Sequence, residues 1–178
     1  MKGWRETVAL NLDSAAKMLY CMEPLRRPIL QAILSSLQLP EGSRGLDAGC
    51  GIGLQTLLLA QAAGSHGHVT GLDTCASFLE IARALTGQVG LADRVSFRQG
   101  SWNQIPYEEG TFDWVWSIDA AGYAPQEPVS SVQELVRVIK PGGRLILGLV
   151  FAVPAPRVPG FGGAFKRQSG GHRALYNA

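Results

Sequence analysis

The stretch Leu46-Asp47-Ala48-Gly49-Cys50-Gly51-Ile52-Gly53 constrains this chain more than any other. Glycines alternate at 49, 51 and 53, after a short apolar run and before the helix-forming run Leu54-Gln55-Thr56-Leu57-Leu58-Leu59-Ala60. Glycine carries no Cβ, so the backbone turns tightly there and a ligand can lie against it. Strand, glycine turn and helix in this order open a βαβ unit of the nucleotide-binding kind. A glycine turn alone is common. This one comes with an acid at Asp47 and a second acid, Asp73, closing the next strand-like run Val69-Thr70-Gly71-Leu72. The dehydrogenase fingerprint G-x-G-x-x-G, counted from Gly49, needs a glycine where Leu54 stands.

The rest of the chain alternates around that turn. Residues 8–22 are loosely amphipathic, and Pro24 breaks the pattern. Ile29, Leu30, Ile33, Leu34 and Leu37 then recur at helical spacing, with Pro28 tolerated in the first turn. Strands are expected over residues 44–47, 69–72, 95–97, 114–118 and 145–150, and helices over 54–63, 77–85 and 129–139. Pro141-Gly142-Gly143 reads as a stop and turn before the last strand. Apolar strands alternating with helices predict an α/β fold: a doubly wound, mostly parallel sheet with helices on both faces. The expected organisation is N-terminal helices over residues 1–42, a core over 43–150, and an irregular Gly/Pro-rich basic tail over 151–178.

Composition excludes several function classes. Hydrophobic residues make up 46% and charged residues 17% of the 178, which suits one globular domain. No apolar run approaches the roughly 18 residues that span a bilayer. Glu6 and Asp13 fall where a secretory signal would be apolar, so a cytoplasmic location is expected. Cys21, Cys50 and Cys75 form no C-x-x-C pair and indicate neither a disulfide framework nor zinc. Cys50 sits inside the glycine turn, where a small residue suits the packing. His66 and His68 flank Gly67 without a third ligand nearby, so no metal site is expected. All 14 acidic residues precede residue 135, and seven of the 16 basic ones follow it. That basic end lacks interleaved aromatics, so nucleic acid is not an expected partner.

The pattern D-x-G-x-G-x-G at Asp47 to Gly53 resembles motif I of the class I methyltransferases that use S-adenosylmethionine (SAM). Phe112-Asp113-Trp114-Val115-Trp116-Ser117 and Leu135-Val136-Arg137-Val138-Ile139-Lys140-Pro141-Gly142-Gly143-Arg144-Leu145 are similar to that family's later motifs. The matches run from Leu46 to Val150, and their arrangement is similar to the ubiquinone/menaquinone-type C-methyltransferases (methyltransferase type 11) and their relatives. The resemblance implies a Rossmann-like core, SAM as cofactor and methyl transfer to a small-molecule acceptor. It puts Asp73 on the ribose hydroxyls, with Thr74 beside it. Asp47 would act near the methionine amino group, and Gly49, Cys50, Gly51 and Gly53 would form the backbone cradle. Ser117 and Ile118 would line the methionine end. Where the family usually has Gly-Asp to meet adenine, this chain has Gly100-Ser101, so charge assistance is lost there. Trp102 either stacks on the base or belongs to the core.

Methyl transfer needs a base only if the acceptor must lose a proton. Asp119, just past the fourth strand, is the ionisable candidate, with a capping role as its alternative. Tyr20 and Tyr123 are candidates for acceptor contact. The family's closing strand hairpin is not visible after Val150, which suggests a truncated or frame-altered chain and an exposed sheet edge open to homodimerisation. Two rival functions are a non-catalytic SAM- or partner-binding module and a nicotinamide-dependent oxidoreductase. Leu54 and the Lys140-Pro141-Gly142-Gly143 turn disfavour the second.

Overall fold

The computed structural model describes residues 13–120 and 128–148. In chain order these form α1 (Ser14–Leu37), β1 (Arg44–Ala48), α2 (Leu54–Ala62), β2 (His68–Asp73), α3 (Ala76–Gln88), β3 (Val95–Gln99), β4 (Phe112–Ile118), α4 (Pro128–Arg137) and β5 (Ile139–Gly148). The five strands lie in the order β3-β2-β1-β4-β5, and every pairing is parallel. The chain winds outward from β1 in one direction, returns, and winds outward in the other. The carboxyl ends of β1, β2 and β4 therefore meet at the point where the strand order reverses, the place open α/β sheets reserve for ligands.

Alternation along the strands builds two cores. Trp114, Trp116 and Ile118 of β4 point into a cluster with α1, α2 and α3, where Leu30, Leu34, Leu57, Leu59 and Leu85 are buried. Val115 points to the other face, with Leu46, Ala48, Leu72 and Ile105, and with Leu135 and Val138 at the α4 end. Both buried indoles find acceptors: Trp114 Nε1 donates to Ser43 Oγ at 2.8 Å and Trp116 Nε1 to Gln55 Oε1 at 2.7 Å. Gly45 lies under the Trp114 ring, and a Cβ there would stand 2.0 Å from it.

Two expectations are corrected. The N-terminal segments are one continuous helix, not two, and Pro24 does not break it. Asp13 caps the helix by accepting from the Ala16 N–H at 2.7 Å, and Gln38 ends it in the left-handed region at φ 46°. A proline inside a helix costs about 3 kcal/mol. Here both prolines sit on the exposed face, while Ala16, Glu23, Leu30 and Leu34 are buried on the other. Packing along that buried face holds the helix through both.

The second correction concerns the end of the described sheet. The last helix stops at Arg137, and β5 begins at Ile139, before Pro141-Gly142-Gly143. Phe112 pairs with Ile139 and Trp114 with Arg144, so residues 140–143 bulge out opposite Asp113. Asp113 secures the bulge by accepting from Lys140 Nζ at 2.7 Å and from the Arg44 N–H at 2.7 Å. Burial pushes the Asp113 carboxyl up, but the Lys140 hydrogen bond, the Arg44 N–H and both positive charges outweigh it and hold it below the usual carboxylate range. The expected strand over 149–150, Tyr123 and the tail over 151–178 lie outside the described residues.

Candidate functional site

The glycine turn connects β1 to α2 at the reversal point. Gly49, Gly51 and Gly53 all have positive φ, at 85°, 54° and 80°. A side chain at Gly49 is excluded twice, by that backbone region and by Ala120, whose Cβ would lie 2.1 Å from a Cβ at Gly49. The N–H groups of Gly49 and Cys50 both donate to the Leu72 carbonyl, at 2.8 and 3.0 Å, which pins the turn to β2.

Asp73 ends β2 and holds the turn from the other side. Its Oδ2 accepts from the Gly51 N–H at 2.8 Å and its Oδ1 from the Cys75 N–H at 2.9 Å. One carboxylate thus joins the glycine turn to the start of α3. Ionised, it has roughly four lone-pair sites, so two remain for a ligand's hydroxyls. Thr74 beside it is exposed, and its carbonyl accepts from Gln99 Nε2 at 2.9 Å.

Asp47 lies beneath the turn and is 2% exposed. Thr56, in the first turn of α2, donates to its Oδ2 at 2.6 Å. Burial pushes the Asp47 carboxyl up to about 7; the Thr56 hydrogen bond pulls it back and the Asp73 charge adds to the rise. Burial likewise pushes the Cys50 thiol far up, with Asp47 and Asp73 adding to it. A thiol held protonated is no nucleophile, and Cys50 serves as a small buried filler.

Helix α1 lies across the turn and closes a narrow cleft of about 80 Å³. Leu19, Glu23, Arg26 and Leu30 line it from the helix; Gly49 to Ile52, Gln55, Ile118 and Asp119 line it from the sheet end. A Cβ at Gly51 would stand 3.1 Å from Leu19 Cδ1. Arg26 Nη2 reaches Asp119 Oδ2 at 3.1 Å, while its Nε is buried with no hydrogen-bond partner. Asp119 holds φ 61°, a left-handed conformation uncommon outside glycine, and its N–H donates to the Gly148 carbonyl at 2.8 Å. Strain of this kind gathers at functional sites.

The side chains of several sequence-derived candidates make contacts of their own within the fold. Ser117 is buried, and its Oγ donates to the Ala48 carbonyl at 2.9 Å, so its side chain ties β4 to β1. Tyr20 packs on the apolar cluster under α1 and does not line the cleft. Trp102 packs against the second core, 3.7 Å from where a Gly49 Cβ would be, with its Nε1 buried and unpartnered. Ser101 Oγ accepts from the Asn103 N–H at 3.1 Å, and residue 101 bridges to Gln104. Thr56, Glu23 and Arg26 were not among the candidates read from sequence. Thr56 carried a signal, a hydroxyl one turn into the helix after the glycine turn; Arg26 carried none. Among the described residues no group of three or more His, Cys, Asp or Glu side chains is placed to hold a metal ion.

The residues fit a nucleoside-linked, zwitterionic ligand. The backbone of the glycine turn and a guanidinium with an orphan donor face the cleft, and the Asp73 carboxylate, with spare acceptor capacity, holds the same turn through the Gly51 N–H.

Comparison with known proteins gives matching results. A family model described as "Methyltransferase domain" matches residues 46–147. The methyltransferase GfsG of Streptomyces halstedii is 33% identical over 117 residues, covering 66% of this chain and 41% of that protein. A demethylmenaquinone methyltransferase of Staphylococcus epidermidis is 31% identical over 114 residues, covering 64% of this chain and 46% of that one. The crystal structure of a SAM-dependent methyltransferase from Aquifex aeolicus superposes with a TM-score of 0.63 at 28% identity, covering 72% of this chain and 67% of that one. The chain thus spans less than half the length of these two curated relatives.

Proposed function

We propose, because the chain belongs to the methyltransferase domain family, that it binds SAM in the cleft at the ends of β1, β2 and β4 and transfers its methyl group to a small-molecule acceptor. The observation that carries the reading is the Asp73 carboxylate, tied to the Gly51 amide at the reversal point of a 3-2-1-4-5 parallel sheet. When bound, SAM supplies an electrophilic methyl on a cationic sulfur. The protein's task is to hold that methyl and the acceptor in line, since orientation supplies much of the acceleration in such displacements.

In this reading Asp73 accepts from the ribose hydroxyls, flanked by Thr74. The backbone from Gly49 to Gly53, Cys50 included, lets the cofactor approach. Ser101 and Trp102 face the adenine. Ser117 and Ile118 present backbone at the methionine end. Asp47 sits beneath the amino group and balances its charge. Arg26 takes the carboxylate, using the guanidinium donors that now face Asp119 or stand orphaned. That exchange separates Asp119 from Arg26 and leaves its carboxylate as the base for acceptors that must lose a proton. Tyr123 keeps its proposed role in acceptor contact, whereas Tyr20, packed on the apolar cluster, does not.

The relatives support a small acceptor: one is named for demethylmenaquinone. We infer the cytoplasm as the compartment, consistent with three free cysteines. Among the described residues no helix is long and apolar enough to cross a membrane. In the described sheet β5 is an end strand with Leu147 exposed, and a homodimer formed along that edge belongs to the same proposal. A second reading, a SAM-binding module without turnover, is favoured by Ser101 standing where the resembled family usually has an acid.

Calorimetric titration with SAM, S-adenosylhomocysteine and NAD, followed by turnover on a panel of small acceptors, tests the proposal. SAM and S-adenosylhomocysteine should bind and NAD should not. NAD binding alone refutes the proposal. Cofactor binding without any methylated product selects the module.

A further inference from the structure

The segment from Ser101 to Tyr107 has one short bridge of its own, yet it is held at three residues by a single helix face. Ser131, Glu134 and Arg137 stand one turn apart along α4. Ser131 is fully buried and donates to Asn103 Oδ1. Glu134 Oε2 accepts from the Ile105 N–H at 3.0 Å. Arg137 donates to the Ile105 carbonyl at 3.0 Å and to the Tyr107 carbonyl at 2.9 Å. The same guanidinium forks onto Glu134, with Nε to Oε1 and Nη2 to Oε2 both at 2.8 Å. Ile105 is buried beside Leu135 and Val138, and the Tyr107 ring meets Phe112 edge-on with centroids 5.0 Å apart. Arg98 covers the Tyr107 ring at 4.9 Å.

We propose that Arg137, oriented by Glu134, is a positioning residue for base recognition: it holds the Ile105 and Tyr107 carbonyls so that Ser101 and Trp102 meet the adenine at a fixed distance. The inference rests on the SAM reading above. In that reading the adenine meets the Ser101 hydroxyl, at the position where the resembled family usually has an acid. A neutral hydrogen bond has about half the strength of a charge-assisted one, and it loses value steeply with poor geometry. A recognition element this weak depends on the rigidity of its support. Arg137 suits the task because a planar fork fixes two carbonyls and a carboxylate together, which a lysine ammonium on a flexible stem does not. The apolar contacts of Leu135 and Val138 hold α4 to the sheet without the clamp, so its loss should loosen the loop more than the fold.

The test uses the full chain and two probes, S-adenosylhomocysteine and 5′-methylthioadenosine. The second keeps the adenosine and lacks the amino-acid end. Arg137→Gln and Arg137→Lys should raise the Kd of both probes by the same factor, about tenfold for one well-placed hydrogen bond. Arg26→Gln should weaken only the first probe. Ser101→Ala should weaken wild type severalfold but add little in the Arg137→Gln background, because the serine is already misplaced. Full additivity of Ser101→Ala and Arg137→Gln overturns the inference and leaves Arg137 a structural residue. Where Arg137→Gln does not fold by circular dichroism, Arg137→Lys carries the same cycle. A wild-type chain that binds neither probe refutes the adenine assignment, and the positioning role with it. Wild-type binding with unaltered affinity in both Arg137 variants refutes the positioning role alone.

Discussion

Replacing Asp47 by asparagine should stabilise the ligand-free protein in alkaline solution while weakening cofactor binding. Asp47 is 2% exposed, and its folded pKa is about 7 against an ordinary 3.8. The folded state therefore holds the proton more tightly than the unfolded chain does. Stability is greatest below the unfolded pKa, falls as pH rises through the interval from 3.8 to about 7, and is level above it. At about 1.36 kcal/mol per unit, the full interval is worth about 4 kcal/mol, of which about 1.6 is already lost at about pH 5.

The asparagine of this variant would not titrate. Its amide oxygen can still accept from Thr56, while its NH₂ needs a new acceptor, a pH-independent penalty of about 1–3 kcal/mol. The penalty cancels when the two pH values are compared. The stability of Asp47→Asn relative to wild type should rise by about 2–3 kcal/mol between about pH 5 and about pH 8.5. With a urea slope of about 1–3 kcal/mol per molar, the difference between the two midpoints should shift by about 1–2 M. Urea unfolding of both proteins at the two pH values measures it. A difference that stays constant with pH refutes a raised Asp47 pKa. In wild type near neutral pH, SAM binding should also release a proton as its amino group draws Asp47 into the ionised form. Calorimetry in buffers of different ionisation enthalpy reads that release, and Asp47→Asn should abolish it.

Asp73→Ala should cost about 1–3 kcal/mol of SAM binding, as for a lost hydrogen bond to a charged group, and a dissociation constant equal to wild type would remove the ribose assignment. The same variant should lower the thermal midpoint, since the Gly51 and Cys75 amides lose their acceptor. Ser101→Asp should tighten SAM binding by about 1 kcal/mol, because desolvating the new carboxylate offsets part of its gain; weaker binding would mean that adenine is held by other groups. Gly49→Ala should destabilise the fold by about 2–4 kcal/mol, combining a left-handed alanine with overpacking against Ala120, and a denaturation midpoint equal to wild type would show that the turn relaxes.

Much of this architecture was legible in the residues because its signals are local. The glycines at 49, 51 and 53 mark positive φ through the absence of Cβ, a property of each residue alone. Alternation in Trp114-Val115-Trp116 and helical spacing in Leu79, Ala82 and Leu85 report which side is buried, wherever the partner lies. Asp73 was readable as a strand-end carboxylate for the same reason. What only the tertiary structure decided involves residues far apart in the chain. Pro24 read as a breaker and Pro28 as part of a new helix's first turn, but α1 runs through both because its buried face has a sheet and a helix to lie on. Ile139 read as the end of a helix and residues 141–143 as a turn, yet Ile139 pairs with Phe112 because β4 offers backbone to it there. Arg26 meets Asp119, and Arg137 grips the carbonyls of Ile105 and Tyr107, across separations that leave no periodic trace. The raised pKa of Asp47 belongs to this second class most clearly. The sequence shows a carboxylate, but desolvation is a property of everything packed around it, and that exists only once the chain has folded.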